Sequence, residues 1–308
     1  MPSLDKPIVF VIVGPTGVGK TDLAIQLAQI FNGEIISADS RYFYRGMSIG
    51  TAKPTPQQLS AAKHYLVDVA EIKQPWSLAV FQREARKALD EILSRGFLPF
   101  IVGGTGQYIF SLIEGWKIPP MKPDSRLRTE LMRLVEEKGP AWLHQKLCIL
   151  DPMAADLIDF RNVRRTIRAM EVILSTGQRF STQREKVPTP YRFEMIGLTR
   201  SRQMLYQRID NRVEQMMAEG LVREVEDLIK SGYGLQDPPM SAIGYREISQ
   251  YLAGEMELHE CIQLIKRRTR QFVRRQANWF KQDDARIKWF NLDTGGLSDI
   301  EKYIKSRL

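Results

Sequence analysis

A phosphate-binding pattern lies near the start of the 308-residue chain. The pattern GxxxxGK[ST] is matched in full by eight residues, namely Gly14, Pro15, Thr16, Gly17, Val18, Gly19, Lys20 and Thr21. In such a loop, backbone N–H groups converge on an anion, lysine adds a positive charge, and the threonine hydroxyl can ligate magnesium. The pattern predicts a phosphate or diphosphate site, and a purely structural glycine turn is the alternative.

Two other polar groups follow apolar runs of strand length. Asp39 follows residues 34–38, and the turn Gly103-Gly104-Thr105-Gly106 follows residues 98–102. Ligands of open α/β folds bind at the carboxyl ends of the strands, so we expect both groups near the phosphate loop. Asp39 can bind magnesium through water, cap a helix or take a proton. The glycine turn can face an anion or serve packing alone.

The elements that position these residues follow from the hydrophobic pattern. Apolar runs alternate with amphipathic stretches, which predicts a parallel sheet covered by helices. We expect strands at 8–13, 34–38, 65–69, 98–102 and 193–199. We expect helices at 20–31, at 77–95 with Ser77 as N-cap, and from Ser201 onward.

A proline-rich stretch after residue 115 changes this pattern and leads into helices. The predicted fold class is therefore α/β, a P-loop NTPase-like parallel sheet flanked by helices, with an inserted all-helical domain. We assign residues 1–115 to the first part of the core, 116–190 to the insertion, and 191–308 to the second part of the core.

Composition narrows the partners and the compartment. The formal net charge of +9 favours an anionic partner. Cys148 and Cys261 lie far apart without a CxxC pattern, which argues against the usual zinc and disulfide frameworks and favours a reducing cytoplasm. The apolar run before Gly14 is too short for a signal segment or a membrane span, so we expect no membrane partner.

Two arginine-rich segments are predicted to form amphipathic helices. The first begins after Asn162, and its charged side consists of Arg164, Arg165 and Arg168. The second begins near Cys261, and its charged side consists of Arg267, Arg270, Arg274 and Lys281, opposite an apolar stripe of Ile262, Ile265, Phe272 and Phe280. Such stripes favour contact with nucleic-acid phosphates, and a solvated surface is the alternative.

Arg208 and Arg212 lie four residues apart and share one face of a predicted helix. Guanidinium groups match phosphate oxygens bidentately, so this pair can clamp a diphosphate from outside the loop. Surface pairing with Glu214 or Asp210 is the alternative.

Seven motifs, in this order along nearly the whole chain, resemble those of the tRNA dimethylallyltransferases, also called tRNA isopentenyltransferases. They are GPTGVGKT, ADSRYFYRGMSIGTAKP, IVGGTGQY, RNVRRTIRAMEV, GLVREVEDL, AIGYREISQYL and TRQFVRRQANWF. The resemblance implies a bacterial-type prenyltransferase. It would move a dimethylallyl group from dimethylallyl diphosphate to the exocyclic amine of the adenosine immediately 3′ of the anticodon in tRNA.

The resemblance also implies roles for individual residues. Asp39 would be the general base, and Thr105 would lie beside the reacting base. Thr21 would hold Mg²⁺. The diphosphate would be bound by Lys20 and the rest of the phosphate loop, together with Arg208 and Arg212. The insertion and the C-terminal helices would grip the anticodon stem. The implied tRNA contacts are Asp39, Ser40, Arg41, Tyr42, Thr105, Arg128, Val163, Arg164, Arg165, Thr166, Ile167, Arg168, Arg267, Arg270, Arg274 and Lys281.

The target adenosine would have to be flipped out of its stack, and we expect Tyr42, Phe43 and Tyr44 to help hold it. Tyr42 is a departure, because the family usually has glutamine there, and a phenol cannot make the paired hydrogen bonds of an amide. Tyr65 stands where the family often has a second histidine. We expect a monomer.

Two other functions fit the phosphate loop alone. One is a small-molecule P-loop kinase with an arginine-bearing lid. The other is a non-catalytic, nucleotide-dependent RNA-binding switch. The strand at 98–102 ends in glycines instead of the aspartate that orders magnesium in many NTPases, which argues against a nucleotide sensor.

Overall fold

The computed structural model describes residues 6–74, 76–118, 124–184 and 186–308. The chain forms two compact units. The core unit comprises Met1–Ile113 and Thr189–Leu308, and the helical unit comprises Glu114–Pro188.

The described part of the core unit contains a sheet of six strands, all paired in parallel. In chain order they are β1 (Ile8–Val13), β2 (Gly33–Ser37), β3 (His64–Tyr65), β4 (Leu98–Val102), β5 (Arg192–Thr199) and β6 (Ile287–Asn291). Their spatial order is β3-β2-β4-β1-β5-β6. The fold class predicted from the sequence is confirmed.

The strand register brings the predicted site residues to one edge. Val102 of β4 pairs with Ile12 of β1 and with Ser37 of β2. The carboxyl ends of these three strands are therefore level. The phosphate loop, the Asp39 segment and the glycine turn 103–106 all leave the sheet at this edge, where open α/β folds place their ligands.

Thirteen α-helices lie in the described ranges. They are α1 (Lys20–Ile30), α2 (Pro56–Ala61), α3 (Leu78–Ser94), α4 (Gly106–Ile113), α5 (Ser125–Lys138), α6 (Pro140–Leu150), α7 (Pro152–Asp156), α8 (Val163–Thr176), α9 (Arg202–Ala218), α10 (Leu221–Lys230), α11 (Tyr245–Leu252), α12 (Leu258–Gln276) and α13 (Leu297–Lys305). Helices α5–α8 form the helical unit. No described helix is long and apolar enough to cross a bilayer.

Side-chain caps explain where two helices begin. The Ser77 hydroxyl accepts the N–H of Val80 at the start of α3, and the Asn162 side chain accepts the N–H of Arg165 at the start of α8. Each contact satisfies a backbone donor that has no partner within its helix. Both starts agree with the prediction from sequence.

Two predictions about the elements are wrong, and one strand was missed. Strand β3 stops at Tyr65 instead of continuing to residue 69, because Leu66 and Asp68 turn into positive φ of 63° and 53°. Strand β6 was not predicted. Helix α12 ends at Gln276, so Lys281 lies beyond it, and Phe272 is exposed on the helix while Val273 is buried.

The two units have separate cores. In the core unit, Phe10, Phe100 and Ile196 of the sheet pack with Leu23 and Leu27 of α1. The core of the helical unit includes Leu131, Leu143, Leu147, Ile167 and Met170. Burial of these apolar side chains is the main source of stability for each unit.

Candidate active site

The phosphate loop between β1 and α1 lines a cavity of about 780 Å³. Gly17 and Gly19 adopt φ of 85° and 110°, where a side chain would be strained. Val18 between them is fully buried and attaches the loop to the core. Lys20 and Thr21 begin α1 and line the same cavity, so the positive end of a helix dipole lies at its wall.

Lys20 is held inside the loop. Its Nζ donates to the carbonyl oxygens of Gly14 and Pro15, both at 3.0 Å. The pKa of Lys20 is lowered to about 8, chiefly by burial; the Asp39 carboxylate opposes this effect and the Arg212 charge adds to it. An anion in the cavity would favour the charged ammonium for the same reason that Asp39 does.

Asp39 follows the end of β2 and lines the cavity with Lys20 and Thr21. Its Oδ1 accepts the backbone N–H of Arg41 at 3.0 Å, which fixes the side chain in a local turn. A carboxylate held in this way, beside an anion site, can receive a proton from a nucleophile that is brought to the cavity.

The glycine turn 103–106 is built by close packing. A Cβ on Gly103 would lie 2.5 Å from the carbonyl carbon and oxygen of Ala38, and one on Gly106 would lie 2.3 Å from Trp279. These distances support the packing interpretation for the glycines. The hydroxyl of Thr105 accepts the N–H of Ser40 at 3.3 Å, so the turn contacts the Asp39 segment.

Two arginines of α9 extend over the cavity. Arg208 Nε donates to the carbonyl oxygen of Gly17 at 2.8 Å, and Arg212 Nη2 donates to that of Ala52 at 3.3 Å. Both side chains line the cavity, which favours the clamp over the surface pairs considered from sequence. Asp210 and Glu214 form ion pairs with Arg270 and Lys266 instead.

Tyr42 closes another part of the same cavity. Its hydroxyl donates to the carbonyl oxygen of Ala52 at 2.7 Å and also interacts with the side chains of Thr21 and Arg212. Burial, with a smaller contribution from the Asp39 charge, raises the pKa of Tyr42 to about 12. The phenol therefore stays protonated and remains a donor at neutral pH.

The two aromatic residues after Tyr42 do not match the expected base-stacking role. Phe43 is fully buried, and its ring packs against those of Trp76, Phe81 and Tyr108. Tyr44 is also buried, and its carbonyl oxygen accepts from the Lys53 ammonium. Phe43 is therefore a core residue that supports the loop, and of the three residues Tyr42 alone lines the cavity.

Glu224 of α10 holds a loop that lines the cavity, and sequence reasoning missed it. Its carboxylate accepts three backbone N–H groups, from Ser48 at 2.9 Å, Ile49 at 2.8 Å and Gly50 at 3.1 Å. It also accepts the Tyr245 hydroxyl at 2.5 Å. These bonds fix a loop whose residues Ser48 and Ile49 line the same cavity as the phosphate loop. The only signal in the sequence was the resemblance of GLVREVEDL and AIGYREISQYL to family motifs.

Comparison with known proteins places this site in a family. Residues 42–283 match the family model described as IPP transferase. The chain belongs to the IPP transferase family. This confirms the family predicted from the motifs and the prediction of a transferase, and it contradicts the kinase and the non-catalytic switch.

Curated relatives and solved structures agree with this assignment. The tRNA dimethylallyltransferase of Thermomicrobium roseum is 45% identical over 291 residues, which cover 94% of this chain and 88% of the relative. That of Herpetosiphon aurantiacus is 44% identical over 299 residues, which cover 97% of this chain and 95% of the relative. The tRNA isopentenylpyrophosphate transferase structure from Bacillus halodurans has a TM-score of 0.73 at 39% identity, and the match covers 98% of this chain and 97% of that structure's chain.

A eukaryotic relative has also been solved. It is described as a dimethylallyltransferase acting on tRNA, and it superposes with a TM-score of 0.84 at 26% identity, covering 98% of this chain and 80% of its own. The fold of this IPP transferase is thus shared by a bacterial and a eukaryotic enzyme.

Some of the arginines predicted to contact RNA from the core unit are bonded to other protein groups, and others are exposed. Arg41 Nη1 donates to the carbonyl oxygens of Pro238 and Pro239, at 3.2 and 3.3 Å. Arg270 is paired with Asp210, whereas Arg267 and Arg274 are exposed on α12. The expectation of one uniform basic stripe on this helix is therefore wrong.

The helical unit uses two of its predicted contact residues internally. Glu171 is fully buried and accepts Arg128 Nη2 at 2.8 Å and Arg168 Nη1 at 2.7 Å. Burial alone would raise the pKa of Glu171, but these bonds hold it below its usual value. Arg168 was predicted to lie on the solvated side of α8. Its guanidinium instead pairs with the buried Glu171.

Three residues of the predicted RNA-contact segment belong to the packing of the helical unit. Thr166 and Ile167 are 1% and 5% exposed, and Val163 packs against the same core. Arg164 and Arg165 are exposed. The side chains of Thr166 and Ile167 therefore leave almost no surface for RNA, whereas those of Arg164 and Arg165 are accessible.

The cavity fits a magnesium ion that arrives with a phosphorylated ligand. No cluster of three His, Cys, Asp or Glu side chains suited to a metal occurs in the described part of the chain. Thr21 and Asp39 nevertheless line one cavity. Magnesium commonly uses one or two protein oxygens and completes its shell with substrate phosphates and water. The donor set present here has that character.

Proposed function

We propose that this protein transfers the dimethylallyl group of dimethylallyl diphosphate to the exocyclic amine of the adenosine immediately 3′ of the tRNA anticodon, releasing diphosphate. One observation carries the proposal. In a chain of the IPP transferase family, the phosphate loop, the two arginines of α9 and Asp39 all border a single cavity of about 780 Å³. The choice of tRNA and of the dimethylallyl group is supported by the relatives, which are named tRNA dimethylallyltransferases.

The phosphate side of the cavity acts on the leaving group. As the carbon–oxygen bond of the donor breaks, negative charge grows on the diphosphate, and donors already fixed around it stabilise that charge. Lys20 and Arg208 now donate to loop carbonyls, but an ammonium has three N–H groups and a guanidinium has five. Both can therefore keep those bonds and bind diphosphate oxygens as well.

Asp39 acts on the acceptor. An exocyclic adenine amine is a weak nucleophile, and it must lose a proton as its nitrogen bonds to the prenyl carbon. Asp22, Asp68 and Glu219 also line the cavity, but Asp39 follows β2 at the sheet edge that carries the phosphate loop and interacts with Lys20. We therefore assign Asp39 as the acceptor of that proton. Thr105 lies next to this segment through its bond to Ser40 and would contact the extruded adenosine there.

The Thr21 hydroxyl would help hold a magnesium ion, which would supply charge stabilisation for the leaving diphosphate. Arg164, Arg165, Arg267, Arg274 and Lys281 remain the proposed contacts to tRNA phosphates, with Ser40, Arg41 and Tyr42 near the anticodon loop. We also propose that the enzyme works as a monomer in the cytoplasm, which its two unpaired cysteines suit.

The experiment is mass spectrometry of nucleosides from tRNA that has been incubated with the protein, magnesium and dimethylallyl diphosphate. We expect one dimethylallyl group on one adenosine. Asp39→Asn keeps an acceptor for the Arg41 N–H and should lower the transfer rate about 10²–10⁴-fold, with the tRNA dissociation constant within a few-fold of the parent. Equal loss of rate and tRNA affinity would instead make Asp39 a structural residue.

A further inference from the structure

Helix α12 ends in a buried amide that contacts both glycine-rich turns. Gln276 is 5% exposed and is the last residue of the helix. Its Oε1 accepts the backbone N–H of Thr16 at 2.9 Å, and its Nε2 donates to the carbonyl oxygen of Gly104 at 3.1 Å. A single side chain thus connects the middle of the phosphate loop to the turn 103–106.

Both partners depend on this amide. The Thr16 N–H belongs to a loop whose backbone donors otherwise serve an anion, and here it has an amide oxygen as its acceptor. A Cβ on Gly104 would lie 2.2 Å from Gln276 Nε2, so the amide has room because residue 104 is glycine. The absence of a side chain at residue 104 therefore allows both the close packing of the turn and the hydrogen bond from Gln276.

Further hydrogen bonds extend the connection to the proposed base. Thr105 follows Gly104, and its hydroxyl accepts the N–H of Ser40 at 3.3 Å. Ser40 follows Asp39 in the chain. The phosphate loop and the segment that carries Asp39 are therefore joined through Gln276 and the turn, in addition to their attachment to the sheet.

We propose that Gln276 is a positioning residue for prenyl transfer, which sets the separation between the diphosphate-binding loop and the Asp39 segment. This inference rests on the proposed function. Transfer needs the amine nitrogen, the donor carbon and the departing diphosphate oxygen in line, with the base within reach of the amine proton, and a misplacement of about 1 Å can reduce a rate about 100-fold. Gln276 is a buried amide whose Nε2 donates to one turn and whose Oε1 accepts from the other, which is the chemistry such a spacer requires.

The main test is the single-turnover rate with saturating tRNA and dimethylallyl diphosphate. Gln276→Glu keeps the side-chain shape and the acceptor for Thr16, but it places a carboxylate oxygen against the Gly104 carbonyl. We expect the rate to fall about tenfold or more, with the tRNA dissociation constant within about twofold of the parent. Gln276→Asn keeps the amide on a shorter side chain and should give an intermediate rate.

The matched control is Gln263→Glu, the same change at an exposed position of the same helix. It should leave the rate within about twofold of the parent. A parental rate in Gln276→Glu, accompanied by a lower melting temperature, would overturn the proposal and leave Gln276 a structural residue.

A measurement on the parent protein covers the case in which the variants do not fold. The Thr16 amide should exchange its hydrogen slowly, since it is bonded to a buried acceptor. Exchange at the rate of an open loop would overturn the inference. Failure of the proposed function has a different signature, because the parent protein would then leave tRNA unmodified whatever the Thr16 amide does.

Discussion

The two glycine-rich turns of the core unit look alike in sequence, but Gly19 of the first turn and Gly103 of the second are required for different reasons. In the phosphate loop, Gly19 has a φ of 110° and a Cβ there would meet only ordinary contacts, so glycine is needed for conformation. In the second turn, Gly103 lies outside the left-handed region, and its Cβ would approach the Ala38 carbonyl to 2.5 Å. Gly17 and Gly19 therefore give the first turn its backbone conformation, although a Cβ on Gly14 would also lie 2.6 Å from the Leu198 carbonyl oxygen, and the glycines of the second turn make room for its neighbours.

Removing the charge of the first turn should have the largest effect. We expect Lys20→Met to lower kcat/KM for dimethylallyl diphosphate about 10²–10³-fold, because it deletes a fixed donor to the leaving group. Steady-state kinetics of prenyl transfer to tRNA would measure this. The control is Lys305→Met, the same change on the exposed face of α13, with parental kinetics expected. Parental activity in Lys20→Met would mean that the phosphate loop, like the second turn, provides no charge to the leaving group.

Filling the second turn should reduce stability. Gly103→Ala forces its methyl group against the backbone of Ala38, and overpacking of this kind costs about 1–3 kcal/mol. Thermal unfolding would show a lower melting temperature. Gly296→Ala is the matched control, because nothing lies within 4 Å of a Cβ there and its φ is −135°. Equal melting temperatures for the two variants would contradict the packing interpretation.

The pH dependence of donor capture should report on the first turn alone. The free protein has a Lys20 pKa of about 8, lowered chiefly by burial, and the charged ammonium is the form that binds diphosphate. We therefore expect kcat/KM for the donor to be level well below pH 8, to reach half of that level near pH 8, and to fall about tenfold per unit well above it. Gly103→Ala, if folded, should keep this profile, whereas Lys20→Met should lose the step. A midpoint near pH 10 would mean that Lys20 is not buried in solution.

The smallest effect concerns α12, whose terminal amide joins the two turns. Arg274 is exposed on this helix, whereas Arg270 is paired with Asp210. We expect Arg274→Ala to lower the slope of log K for tRNA against log salt concentration by about 0.7–0.9, and Arg270→Ala to lower it by less. Filter-binding titrations at several salt concentrations would measure both slopes. Equal slopes for the two variants would mean that the Asp210 pair opens when RNA binds.

Local sequence patterns predicted much of the core unit and the composition of its site. The central strand bounds 8–13 and 98–102 are confirmed, as are the caps Ser77 and Asn162, because these depend on periodicity and on contacts a few residues apart. The phosphate loop and Asp39 do share one cavity.

The features that were missed depend on distant contacts. Glu224 binds the N–H of Ser48, 176 residues away, and Gln276 binds that of Thr16, 260 residues away. A hydrophobic or charge pattern carries no information on such pairs. For the same reason Arg168 was assigned to solvent, although Glu171 lies in the same helix, since burial of that glutamate depends on the packing of the helical unit.

The most direct test of the account is to measure the dissociation constants of dimethylallyl diphosphate and ATP for the same protein, with magnesium, by isothermal titration calorimetry. We predict that the prenyl diphosphate binds at least about 100-fold more tightly and that Lys20→Met abolishes this preference. Tighter binding and ready hydrolysis of ATP, together with tRNA of unchanged mass, would contradict the assignment of the phosphate loop to a prenyl donor.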